Sequence, residues 1–143
     1  MARPPNDLKA IAQIDALTSI AKRREVSLRV AVTRAMQALD EAEAAERERR
    51  QACEVQRQRW RDALTRGGVY RQRTLSEVSH AVEAERSALV GASSALDAAV
   101  AAGAQAQAAL QAQRVLLQAN ARKQEKLREW RASLGASTRS HRA

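Results

Sequence analysis

From Ile11 the chain can be stepped at alternating intervals of three and four: Ile11, Ile14, Thr18, Ala21, Glu25, Leu28, Val32, Ala35, Leu39, Ala42, Glu46, Arg49, Cys53, Gln56, Trp60, Ala63. Most of these positions are apolar. A 3-4 repeat held over so many turns predicts a coiled-coil seam rather than one face of a globular core helix. Asn6 or Asp7, just after Pro4 and Pro5, can cap the start, because their side chains accept hydrogen bonds from the first free backbone amides. Gly67 and Gly68 supply the left-handed conformation that helix C-termini favour. Helix one is therefore expected over about 7–66 and a bend over about 67–73.

Thr74-Leu75-Ser76-Glu77 reads as a capping box. A second seam follows in unbroken phase: Leu75, Val78, Val82, Glu85, Leu89, Ala92, Leu96, Ala99, Gly103, Ala106, Leu110, Gln113, Leu117, Asn120, Gln124, Leu127, Arg131, Leu134. Gly135 is expected to close helix two, spanning about 74–134, and the polar tail 135–143 to be disordered. Two helices of matched length joined by a short connector predict an all-α chain, a single coiled-coil domain folded as an antiparallel hairpin. The competing arrangement is a parallel dimer of one continuous helix. Glycines 67 and 68, followed by a fresh capping box, break the chain where a turn belongs.

Composition narrows the picture. Phe is absent and aromatics are 2% of residues, so little material exists for a wide core. Ala92 to Ala112 is nearly all Ala, Gly and Gln, which permits close helix approach but contributes little buried area. Cys53 is the single cysteine; it excludes an intrachain disulfide and reads most simply as a small buried hydrophobe. No run of roughly 18 to 20 uninterrupted apolar residues occurs, and Met1 to Asp7 lacks the apolar core of a signal peptide, so no membrane span and a cytoplasmic location are expected.

The net charge of +9 is unevenly spread. Residues 1–34 hold seven Lys or Arg against three acids, and residues 114–143 hold eight against two, whereas 35–113 hold ten against eleven. A hairpin would bring both basic ends together: Lys22, Arg23, Arg24, Arg29 and Arg34 from one helix, Arg122, Lys123, Lys126, Arg128 and Arg131 from the other. Such a tip would be drawn to an acidic surface, although solvated faces carry such charge too. Asp40 to Arg50 mixes both signs and reads as an exposed face laced with i,i+4 pairs. Near the bend, Trp60, Leu64, Val69, Tyr70, Leu75 and Val78 gather apolar and aromatic groups. They can anchor a partner or simply pack the connector onto the helices.

Enzyme chemistry has no visible footing. His80 and His141 are too far apart and too unsupported for a metal or acid-base site, and no phosphate-cradling loop or nucleophile elbow is present. No metal, cofactor or catalytic residue is expected. A basic-region zipper would place a continuous basic helix ahead of a leucine array, whereas here cations alternate with seam positions and stacking aromatics are absent. Nucleic-acid binding is thus the weaker alternative. Arg114 to Leu134 could lie on an anionic membrane only if the hairpin opened.

Leu17-Thr18-Ser19-Ile20-Ala21-Lys22-Arg23-Arg24-Glu25, followed by Ala31, Ala35, Ala38 and Ala42, resembles the N-terminal pattern of the central stalk proteins of type III secretion systems, the FliJ/YscO group. Length, two long helices and an Arg-rich, Ala-rich composition extend the likeness over nearly the whole chain. Ser19-Ile20 stands where the group usually has Leu-Leu, so no residue role is transferred. The resemblance implies a non-enzymatic stalk whose terminal tip enters the hexameric secretion ATPase and whose bend region meets the cytoplasmic ring of the export gate. It further implies a location peripheral to the inner-membrane export apparatus, with secretion chaperones as a further class of partner. On that expectation the ten cations above face the ATPase, and Trp60, Leu64, Tyr70, Leu75, Val78 and His80 face the gate. A generic coiled-coil adaptor or escort, holding a partner helix against its incomplete seam, is the alternative.

Overall fold

A computed structural model describes residues 5–66 and 72–140. They form two helices, α1 (Pro5–Arg66) and α2 (Gln72–Ser140). The chain is all-α, two long helices packed against each other. It divides into two units: a terminal unit of Met1–Met36 with Ala109–Ala143, and a central unit of Gln37–Ala108.

In each unit α1 and α2 run antiparallel. Asp15 pairs with Arg131 and Glu25 with Gln124 in the terminal unit, so rising numbers on α1 meet falling numbers on α2. In the central unit Glu46 lies beside Gly103, and Gln56 bonds Glu85. A parallel arrangement would reverse that order.

The 3-4 repeat selects the inward positions well. Every seam position of α1 is buried or half-buried except Arg49, and every one of α2 except Leu75 and Arg131. Arg49 has a stem long enough to carry its charge out of the seam into water. Arg131 reaches sideways across the helix pair to Asp15, 3.2 Å away.

The terminal unit holds most of the core. Ile14, Ala21 and Leu127 form a buried cluster with Leu134 packed against it, and Ile11, Leu28 and Leu110 are buried as well. In the central unit Cys53, 3% exposed, is the sole buried hydrophobe among the described residues. Alanine explains the contrast: at about 25 cal/mol per Å² of apolar surface, a seam of methyl groups contributes far less than one of Leu and Ile.

The helix ends differ from expectation at three points. First, α1 begins at Pro5, placing Asn6 and Asp7 inside the first turn; proline is pre-set for that turn, and Asp7 faces the positive end of the helix dipole. Second, α2 begins at Gln72, so Thr74 lies within the helix rather than capping it. Third, α2 continues through Gly135 to Ser140 instead of closing at Gly135 and leaving a disordered tail. A mid-helix glycine costs only about 1 kcal/mol relative to Ala, and Gly135 directly follows Leu134, which is still anchored on the core. Gly67 and Gly68, with most of the expected bend, fall outside the described residues.

Gly91 and Gly135 both have ordinary helical φ. A Cβ added at Gly91 would meet nothing within 4 Å, and one at Gly135 only the Arg139 guanidinium at 3.9 Å. The double variant Gly91→Ala, Gly135→Ala should therefore gain about 1–2 kcal/mol from helix propensity alone. Thermal unfolding followed by circular dichroism checks this; an unchanged or lowered midpoint would contradict it.

One stretch of α2, within Leu75–Ser137, is long and apolar enough to cross a membrane by length and composition. The sequence contains no uninterrupted run of that length because Ser and Asp punctuate it. Alanine supplies most of its apolarity, and Ala92, Ala95, Leu96 and Ala99 are half-buried.

Candidate functional site

The charge asymmetry coincides with the division into units. Both basic runs fall in the terminal unit, which carries fifteen Lys or Arg against five acids, a net of +10; the central unit holds ten against eleven, a net of −1. Lys22, Arg23, Arg24, Arg29, Arg34, Arg122, Lys123, Lys126, Arg128 and Arg131 are all exposed. Three have carboxylate partners: Arg29 with Glu25 at 2.7 Å, Arg128 with Glu125 at 3.6 Å, and Arg131 with Asp15. The other seven form no ion pair among the described residues. At helical spacing they fall on several faces of the two helices.

Two grooves flank the seam of this unit on opposite sides. One, of about 250 Å³, is polar, lined by Thr18, Lys22, Gln124 and Arg128. The other, of about 210 Å³, is largely apolar: Leu17, Ile20 and Ala21 of α1 face Leu116 and Ala119 of α2, with Arg24, Asn120 and Lys123 completing it. Ile20, in the apolar wall, is 60% exposed.

Beneath the grooves the seam is polar. Gln124 donates through Nε2 to Glu25 Oε2 at 3.1 Å and to Asn120 Oδ1 at 2.7 Å, and both Asn120 and Gln124 are buried. Their buried polarity is satisfied mutually and helps hold one register, as polar seam residues do in coiled coils. The hydrogen bond from Gln124 is the main cause holding the Glu25 carboxyl below its ordinary value of 4.5; partial burial opposes it, and the charges of Arg29 and Arg128 add to it. A carboxyl whose pKa is lower folded than unfolded contributes stability above the unfolded value and loses it as pH falls through the folded one. Accordingly Glu25→Gln should flatten the fall of the unfolding midpoint below pH 4.5. An acid limb identical to that of the parent protein would refute this.

The two-helix seam leaves several of the bend-side residues uncovered. Leu64, Leu75 and His80 are exposed, while Trp60 and Val78 are half-buried. Tyr70 and Val69 lie outside the described residues. Gln56 Nε2 donates to both the backbone carbonyl and the carboxylate of Glu85, tying the helices together in the central unit. Trp60 Nε1 is buried with no hydrogen-bond partner among the described residues. Of the mixed-charge face from Asp40 to Arg50, Glu46–Arg50 forms an i,i+4 pair at 2.8 Å.

Sequence reasoning located the cations but missed the apolar groove. Leu17, Ile20 and Leu116 lie just off the 3-4 seam. A signal was available: each is a large apolar residue beside a seam position, where a polar residue would suit a two-helix structure better.

Fold and site together define an all-α helical hairpin with a strongly basic terminal unit. No family model matches the chain, and no curated protein or solved structure matches it either.

Proposed function

We propose that this chain is a non-enzymatic, protein-binding helical hairpin that serves as the central stalk of a type III secretion ATPase complex. Its terminal unit engages the hexameric ATPase, and the bend-side end, with Trp60, Leu64, Tyr70, Leu75, Val78 and His80, meets the export gate. One observation carries the reading: a net charge of +10 concentrated in the unit that contains both ends of the chain, against −1 in the other. Exposed and mostly unpaired cations cost little to bring to an acidic surface, and they raise the rate of encounter.

The resemblance of Leu17 to Glu25 to the stalk group adds support of a different kind, from sequence alone. A coiled-coil adaptor or escort would use the same charge with another partner, and the open groove at Ile20 suits that role equally. Incubating the full-length protein with a purified hexameric secretion ATPase separates them. A stalk co-elutes with the ring at one copy per hexamer and stimulates hydrolysis, whereas an adaptor does neither.

A further inference from the structure

We infer that the groove between Leu17 and Leu116 is a docking site for an acidic amphipathic helix of a partner protein. Leu17, Ile20 and Leu116 form apolar walls, and Ala21 and Asn120, both nearly inaccessible, form the floor. Glu25 and Gln124 are hydrogen-bonded across the seam, so Arg24 and Lys123, the residue before each, stand at about the same level on the two walls of the groove, with Leu17 toward one end and Leu116 toward the other. Both cations are exposed and free of ion pairs among the described residues.

That layout specifies the occupant. An apolar trough between two helices fits the cylinder of a third, whose i, i+3, i+4 and i+7 side chains fill it. Cations on both walls select acids on both flanks of the occupant's apolar stripe. Trp130, 57% exposed, lies two turns beyond Lys123 on the same face of α2, where it can extend the contact.

Charge also argues against the two other candidates. A second copy docking groove to groove would set a net +10 unit against its equal. An anionic bilayer would satisfy Arg24 and Lys123, but a flat surface leaves the floor of a concave groove unfilled. The inference goes beyond the stalk reading and does not depend on it, since any partner with such a helix would serve.

The test uses the full-length protein carrying Trp60→Phe, which leaves Trp130 as the sole tryptophan. The probe is a designed 18-residue peptide with leucines at i, i+3, i+4 and i+7 and glutamates on both flanks of that stripe. Expected results are a saturable blue shift of Trp130 emission at micromolar peptide and at least tenfold weaker binding of the same peptide with lysine for glutamate. A similar loss is expected in the double variant Ile20→Ser, Leu116→Ser. Both of those residues are exposed, so its helicity should be unchanged by circular dichroism. Equal binding of the two peptides, or undiminished binding by the double variant, overturns the proposal. So does sedimentation showing a dimer that the double variant abolishes. Displacement of the peptide by phosphatidylglycerol vesicles through the same two residues would assign the site to membranes instead. No ATPase enters the test, so it and the stalk reading can fail separately.

Discussion

Reversing charge at four positions, Arg23→Glu, Arg24→Glu, Lys123→Glu and Lys126→Glu, is expected to abolish stimulation of a hexameric secretion ATPase and weaken binding to it by at least a hundredfold, while the helices remain intact. The variant moves the terminal unit from net +10 to +2, since each reversal changes the charge by two and four are made. None of the four side chains is buried or ion-paired among the described residues, so their loss removes no packing. Helicity and unfolding midpoint should stay close to those of the parent protein, and relief of self-repulsion can raise the midpoint slightly. The binding of the parent protein should fall steeply with salt, and that of the variant should not. Unchanged stimulation with a folded variant would remove the terminal unit from the ATPase interface.

A second large effect is expected at Leu127, which is 2% exposed and closes the cluster with Ile14 and Ala21. Leu127→Ala should cost about 2–4 kcal/mol, from lost transfer energy and the cavity left between two helices that can only partly collapse. That is a severe loss for a chain whose core is this small, and a urea titration should show a clearly lower midpoint. Ile20→Ala provides the contrast. Its side chain is mostly in water already, so the change should lie within about 0.5 kcal/mol. Similar midpoints for the two variants would mean that Leu127 does not face Ile14 in solution, and the antiparallel pairing of the terminal unit would fall with it.

The ends of the helices show where periodicity stops being informative. Capping signals at Asn6, Asp7 and Thr74 and a breaker at Gly135 are local preferences of about a kcal/mol each. Neighbouring contacts readily outweigh them, and helix two passes through Gly135 for that reason. The basic residues were legible as two separate runs in the sequence, and the cations assigned to the tip are all exposed. The bend-side group could be read only as residues that the seam need not bury. Leu64, Leu75 and His80 are exposed among the described residues.

The spacing of three and four determined, without any coordinates, that the chain is two helices and which stripe of each is turned inward; a helix repeats every 3.6 residues, so an apolar stripe can be read from order alone. What those stripes meet was decided only by the tertiary structure. Gln124 finds Glu25 ninety-nine residues away, Arg131 finds Asp15, and Leu17 comes to share a groove with Leu116. Such partnerships depend on the register between the helices, and register is a sum over many weak contacts that no local pattern contains.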